Sequence, residues 1–571
     1  MHGSFRNRIY KWIDEGAHIA PAVEHVKTKE IAQHRHSVWY YFGGFALFLI
    51  AVQIISGIVL LTRYEPSATP AADAITGKPL CLVRAIDSVV VVTVTDSNLY
   101  DYSMGDEAAF TYAGVPDSGL PDELRGKANI EYTVSKDSIM ILPYSTTAGI
   151  INPQSKHTAV NDSSKTQQLV ADTPTAVLRQ TPDAPAILLD HLAILRDTTT
   201  GEIIHPSAAY ASIQKIVTTV PYGALIRSIH AYGANLLVAC VLLHMFSVFL
   251  LHGYRKPNEI MWMTGVLLLA IVLGFGFTGY LLPWTKLSYF ATRVGAGYPE
   301  NFIPGIGKWI AGMMRGGREV TGETLSRMFD LHVVVLPLSL VLFAGIHIAL
   351  LQVRSTSVPI GAKQNGSKIV AAILGAISLG VLAIYKATAS QFDFTSPWFV
   401  IPITILPIVA GYFFSNVLLG DRKTPDGNLQ PIRFYWNFAM RDYIVWLCGL
   451  VLLTTLAIYA PWRAAGDAGM PIDISKPLIT PTGIHPEWYF MASFELLRLI
   501  PGEMAMILFA AGGATWFFIP FLDKDSQRGK ASPRYTRVGV ILVLGFLALT
   551  WLGYKAVDDE IHQAATTEHV K

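Results

Sequence analysis

Stretches of about twenty mostly apolar residues constrain this chain most, because a bilayer's hydrocarbon core admits little besides helices of that length. Nine such stretches are centred near 39–62, 229–251, 260–282, 331–351, 369–388, 398–419, 443–460, 504–521 and 538–554. Composition agrees: 51% of the 571 residues are hydrophobic and 15% charged, with a mean hydropathy of +0.39. That argues against an ordinary soluble domain. Lys and Arg number 44 against 42 Asp and Glu, a formal net charge of +2, so no strongly basic surface is available to neutralise a nucleic-acid backbone. The three cysteines, Cys81, Cys240 and Cys448, are too scattered for a disulfide scaffold, a zinc ribbon or a Cys-rich iron–sulfur site. MHGSFRNRIYKWIDEG lacks the apolar core of a cleaved signal peptide, so insertion is expected from internal segments.

The connectors set the orientation, because Lys and Arg favour the cytoplasmic side. HGYRKPNE, QVRSTSVPIGAKQNGSK and DKDSQRGKASPRYTR fall on the same side as the N-terminus. The N-terminus is therefore expected in the cytoplasm, the n-side, and nine crossings put the C-terminus on the opposite p-side.

Two stretches break the pattern. Residues 72–208 hold alternating runs such as SVVVVTVTDS and NIEYTVSKDSIMILPY, which read as an inserted β-rich p-side domain. Residues 286–330 are amphipathic and Gly-rich, and are expected to lie along the p-side surface. The expected fold is an all-α polytopic membrane protein with that insert. Its parts are 1–71, the insert 72–208, the rest of a four-helix bundle at 209–354, two extra helices within 355–431, and a three-helix region at 432–571.

The second apolar segment carries His230 and His244, and the fourth carries His332 and His347. At about 100° per residue, separations of 14 and 15 return to within roughly 40° and 60° of the starting face. Each helix then presents two imidazoles on one stripe at two depths, with His230 facing His332 at the p-side and His244 facing His347 at the n-side. That arrangement predicts two bis-histidine haem sites. Isolated histidines bonded to backbone carbonyls are the plainer reading, which four at matched spacing disfavour. Gly43 and Gly57, like Gly265 and Gly279, are also 14 apart and would give a flat macrocycle side-chain-free backbone at the same depths. Close helix packing is the competing use of such glycines. Arg227, three residues before His230, is placed to meet a haem propionate, or else to snorkel to the interface. Arg327 has a weaker version of the same case.

LIRSIHAYGAN, GYLLPWTKLSYFATRV, LSRMFDLHVVVLPL and TPTGIHPEWYFMASFELLRLIP together resemble cytochrome b of the quinol:cytochrome c oxidoreductase family, the cytochrome bc complexes and their photosynthetic counterparts. The similarity covers roughly 5–70, 209–354 and 432–555. The resemblance implies two non-covalent b-type haems, a quinol/quinone substrate, a Rieske iron–sulfur partner, a cytochrome c-type acceptor or subunit and a homodimeric complex in a bacterial-type cytoplasmic membrane. It also implies the Q-cycle: quinol oxidised at the p-side, one electron passed to the Rieske protein and one across the two haems, and quinone reduced at the n-side. Features of both branches are present. The His332–His347 spacing resembles the photosynthetic type, and the fused C-terminal region resembles the respiratory type. Tyr41 stands where the photosynthetic branch attaches an extra n-side haem through Cys, and Gln352 stands where respiratory members place a His. The insert and the two helices between 369 and 419 have no counterpart in the family core.

Glu487 in the PEWY stretch (Pro486, Glu487, Trp488, Tyr489) would accept a proton from quinol, and Tyr280 would line the same pocket. A solvated loop carboxylate and an interfacial packing Tyr are the competing readings. Arg441 and Asp442 match the family's basic–acidic pair at the n-side quinone, and otherwise read as a positive-inside anchor with its counter-charge. Cys240 and Cys448 read as small core residues. Two other functions remain to be weighed: a dihaem membrane anchor relaying electrons between a dehydrogenase and quinone, which has no need of PEWY, and a haem-free transporter using His as a proton relay. The insert carries 17 acidic and 9 basic residues, a balance of −8 that leaves the rest of the chain at +10. An acidic docking surface for a basic partner is one reading of it, and plain solvation the other.

Overall fold

Apolar segments too long for a globular core become long helices with apolar outer faces. In the computed structural model, residues 20–71, the strands between 80 and 194, and 206–568 are described, with short breaks at 219, 302–304, 355, 365–366, 389–393, 463–470, 473–479 and 481–482. Helices α1 (Tyr40–Leu61), α2 (Gly223–Leu250), α3 (Glu259–Leu281) and α4 (Gly322–Val353) form a bundle in which α1 packs on α2 and α3 on α4. Then follow α5 (Ser367–Thr388), α6 (Pro397–Leu419), α7 (Ala439–Tyr459), α8 (Trp488–Leu499), α9 (Gly502–Phe517) and α10 (Pro533–Glu568). Exposed Leu338, Val341, Ile507, Leu508, Ile541 and Leu544 face outward where a soluble protein would place charge, as helices bathed in lipid tails require.

Eight helices among the described residues are long and apolar enough to cross a membrane, not the nine expected from the sequence. The segment expected at 504–521 falls short because α9 has only 16 residues: it starts after Pro501 and stops at Phe518, which leaves helical geometry (φ −93°, ψ 8°) before Pro520. Sixteen residues rise about 24 Å. The ends of α9 nevertheless keep company with both ends of α3. It packs on the turn Tyr298–Asn301 beyond the C-terminal end of α3. Near its own end, the Trp516 carbonyl accepts from Trp262 Nε1 at 2.8 Å.

The extra helices are not peripheral. α6 packs on α5, α7 and α2, and Phe399, Val400, Ile408 and Tyr412 join the same buried cluster as Phe42, Phe45, Leu236 and Cys240. Cys240 is indeed a core residue, its thiol against the Phe42 carbonyl at 3.2 Å. Glu30–Ile31 pairs with Ile432–Arg433 and ties the N-terminal segment to the start of α7. The amphipathic stretch at 286–330 forms the short helices Lys286–Gly295 and Ile306–Arg315 before the first turns of α4. Between Leu80 and Ile194 short backbone strands are described, most of them paired side by side. No side chain there is described, Cys81 included; of the expected domain at 72–208, the rest lies outside the described residues except its last three, which lead into the helix Ala208–Thr218.

Candidate functional site

Because α1 runs antiparallel to α2, and α3 to α4, equal spacings along each helix meet rung by rung. A Cβ added to Gly57 would lie 3.3 Å from His230 Cε1, and one on Gly43 3.3 Å from His244 Cε1. Gly265 stands 3.4 Å from His347 Cε1 by the same measure, and Gly279 2.6 Å from His332 Cε1. Each of the four glycines thus gives way to one imidazole, a sharper role than general clearance beside a macrocycle.

The spacing of 15 in α4 against 14 in α2 is absorbed by a π-turn. Leu331–Val335 is π-helical, and Leu336 N–H reaches back to Leu331 O. One π-turn adds a residue without adding a helical step, so His332 and His347 keep the register of His230 and His244. The rings of His230 and His332 lie 6.4 Å apart. A metal–nitrogen bond of roughly 2 Å, with about 1 Å more to each ring centre, needs about that separation. His347 is the ionisable neighbour acting on His244 at the other depth.

Three second partners escape a reading based on periodicity. Ser56 Oγ meets His230 Nδ1 at 2.9 Å, Thr278 Oγ1 meets His332 Nδ1 at 3.0 Å, and Thr264 Oγ1 meets His347 Nδ1 at 2.9 Å. Each hydroxyl donates to a carbonyl of its own helix, at Val52, Gly274 and Met261, so it accepts from the imidazole. That assigns the proton to Nδ1 and leaves the Nε2 lone pair for a metal. The signal was in the sequence: Ser56, Thr278 and Thr264 each immediately precede a clearance glycine. At the fourth position Phe42 precedes Gly43, and His244 Nδ1 is buried without a partner among the described residues. With glycines clearing all four rings and three of the four tautomers set toward Nε2, these residues fit two bis-histidine haems.

Glu487 is the residue before α8, and Glu487, Tyr489 and Tyr554 are the ionisable neighbours of Tyr280. Tyr280 follows Gly279, the glycine against which His332 rests. Gly276, one turn of α3 earlier, admits the Tyr489 hydroxyl so closely that a Cβ would lie 2.6 Å from it. Trp488 turns the other way: it is fully buried and donates to Asn235 Oδ1 on α2 at 2.9 Å, anchoring α8 to the bundle. The Pro486 carbonyl accepts from the ring of His485 at 2.9 Å. Arg227 donates to the Trp462 carbonyl at 3.2 Å, while Arg327 is spent on the Met313 carbonyl in an exposed bond.

Arg441 and Asp442 part company although adjacent. Arg441 is buried and turned to the end of α6, bonding Asn437 Oδ1 at 2.9 Å, Asn416 Oδ1, and the Gly420 carbonyl at 2.5 Å, with Asp421 at 3.9 Å. Asp442 faces Gly44, where an added Cβ would lie 2.6 Å from its Oδ1. Tyr41 fills its place, stacked on Phe438 (5.2 Å) and edge-on to Tyr412 (5.7 Å). The Gln352 carbonyl lies under the N-terminal segment, accepting from His25 Nε2 at 2.8 Å.

Facing imidazole pairs at two depths of one membrane bundle define a membrane cytochrome by class. "Cytochrome b/b6/petB" matches residues 203–355 and "Cytochrome b(C-terminal)/b6/petD" matches 474–569. The chain is 44% identical over 154 residues to cytochrome b6 of Heliobacterium mobile, covering 27% of this chain and 72% of that one. It is 38% identical over 345 residues to the cytochrome b subunit of the cytochrome bc complex of Chlorobaculum thiosulfatiphilum, covering 60% of this chain and 64% of that relative's length. A hyperthermophilic respiratory Complex III structure shares the fold, with a TM-score of 0.51 at 20% identity over 97% of this chain and 95% of its own. The chain belongs to the cytochrome b/b6 family. Two b-type haems are the cofactors of that family, and quinone is the substrate of its bc complexes.

Proposed function

We propose that this chain is the dihaem cytochrome b subunit of a quinol:cytochrome c oxidoreductase working by a Q-cycle. His230 and His332 would hold the p-side haem iron, and His244 and His347 the n-side one. The bound haems supply one-electron transfer between the two membrane faces, the second electron of each quinol leaving to a Rieske protein and onward to a cytochrome c-type acceptor. The chain's own work is positional and protonic. Tyr280 and Tyr489 wall the p-side quinol pocket, Gly276 lets Tyr489 close against α3, and Trp488 holds α8 to α2. Glu487 takes a hydrogen bond and then a proton from the quinol hydroxyl and releases it to the p-side. Asp442 faces the n-side quinone. The complex is a homodimer in a bacterial-type cytoplasmic membrane. The N-terminus is cytoplasmic, and α9 counts as a ninth crossing because its ends accompany those of α3. The C-terminus and the β-rich 72–208 insert then lie on the p-side.

The observation that carries this reading is the joining of Glu487 and Tyr489 around Tyr280, on the helix that also carries Gly276 and Gly279. A dihaem anchor without quinol oxidation needs no carboxylate there. Glu487→Gln is expected to slow p-side quinol oxidation by about a hundredfold or more while both haem signals persist. An unchanged quinol oxidation rate would return the anchor to first place.

A further inference from the structure

The n-side end of α6 carries a polar cluster of which the mechanism above uses only Asp442. Tyr41 Oη, Asn416 Nδ2 and Asp442 Oδ1 are buried and lack a hydrogen-bond partner among the described residues. Tyr41 is fully buried and Asn416 is 5% exposed. The three belong to one neighbourhood. Arg441, Asp442, Tyr412 and Asp421 are the ionisable groups acting on Tyr41. Arg441 holds Asn416 through its Oδ1 and so leaves the Nδ2 of that amide over. Tyr41 and Gly44 lie three residues apart on one face of α1, and Gly44 is the residue against which the Asp442 carboxylate rests. At the outer end the Asp421 side chain, 15% exposed, stands 3.9 Å from Arg441. Buried polar atoms left over by their protein neighbours are where proteins hold ordered water. An apolar filling would serve packing alone better, since each such atom is costly to bury without a partner.

We infer that this cluster is the n-side proton entry of the chain and that the extra helix α6 builds it. Asp421 is its mouth, the hydrated space beside Asn416 and Tyr41 its path, and Asp442 its inner end. Arg441 stays charged and carries no proton; it is a positioning residue that holds Asn416 and the end of α6 in place. The inference rests on the proposed reduction of quinone at the n-side. There, quinone takes up two electrons and two protons to give quinol. Each proton delivered by Asp442 leaves its carboxyl oxygen as the O–H bond to the quinone oxygen forms, and Asp442 is then reprotonated along the path from n-side water.

The test has two arms on the full chain with its haems. In radiolytic hydroxyl labelling read by mass spectrometry, Tyr41 is expected to be modified several times faster than Phe45, an equally buried aromatic one turn along α1 in apolar surroundings. Labelling no faster than that of Phe45 would overturn the hydrated path. In rapid mixing, Tyr41→Phe and Asp421→Asn are expected to slow reduction of added quinone from the n-side by about tenfold or more, with p-side quinol oxidation unaltered. A hydrated Tyr41 with unchanged n-side rates in both variants would overturn the proton route. Missing haem signals in the unaltered chain would strike the proposed function instead, since the labelling does not depend on electron transfer.

Discussion

Gly279 and His332 occupy touching positions on α3 and α4: a single methyl group on the glycine would lie 2.6 Å from the imidazole Cε1. No other clearance glycine is so tight, the remaining three standing at 3.3–3.4 Å. Gly279→Ala is therefore expected to displace the ring at a cost of about 1–3 kcal/mol and to remove the p-side haem component. An optical redox titration should retain the n-side component. Gly265→Ala, at 3.4 Å, should keep both, and equal losses in the two variants would contradict the one-to-one pairing.

Ser56, Thr278 and Thr264 hold three imidazoles by Nδ1, and His244 lacks such a partner among the described residues. Ser56→Ala and Thr278→Val should each weaken retention of the p-side haem by about 10- to 100-fold, as loss of a ligand's supporting bond does. Haem extraction followed by titration of free haem back into the chain measures this directly. Removing Ser56 should leave the n-side component unaffected.

Arg441 bonds two side chains and a backbone carbonyl around the end of α6. Arg441→Gln leaves the buried Asn416 amide oxygen without its partner and breaks the buried Arg441–Asp421 pairing, and is expected to cost on the order of 3 kcal/mol. The loss should concentrate on the extra helices, so limited proteolysis within 420–431 should accelerate before the haem spectra change. Loss of both haems with no change in cleavage there would argue that Arg441 supports the haem bundle instead.

His34, outside the membrane-crossing segments and 1% exposed, is held neutral. Burial first, and the neighbouring His36 second, push its pKa down to about 4. Its Nδ1 accepts from the His36 N–H at 3.1 Å, so the Nε2–H faces the Tyr40 hydroxyl at 2.6 Å. A histidine with a depressed pKa binds fewer protons folded than unfolded between pH 4 and its ordinary value of 6.5. Stability of the n-side segment should therefore fall as pH drops through that window, by up to about 3 kcal/mol. Amide hydrogen exchange of residues 30–40 at pH 7 and pH 4.5 would show it, and His34→Gln should flatten the dependence.

The sequence by itself determined the apolar segments, the two depths of the histidines, the matching depths of the glycines and the PEWY carboxylate. All of these are periodicities or short motifs within one segment, and helix geometry converts such spacing directly into face and height. It also held the hydroxyl-before-glycine pairs, which no periodicity argument isolates because a Ser or Thr facing its own helix's carbonyl has the same spacing. Only the tertiary structure decided which glycine clears which imidazole and how a π-turn reconciles spacings of 14 and 15. It alone turned Arg441 to α6 and Asp442 to Gly44. It also shortened the eighth expected crossing to 16 residues. Spacing along a helix tells which way a side chain points but not what stands there. That is settled by contacts between segments far apart in the chain, and here one of those partners is a helix that family resemblance left without a role.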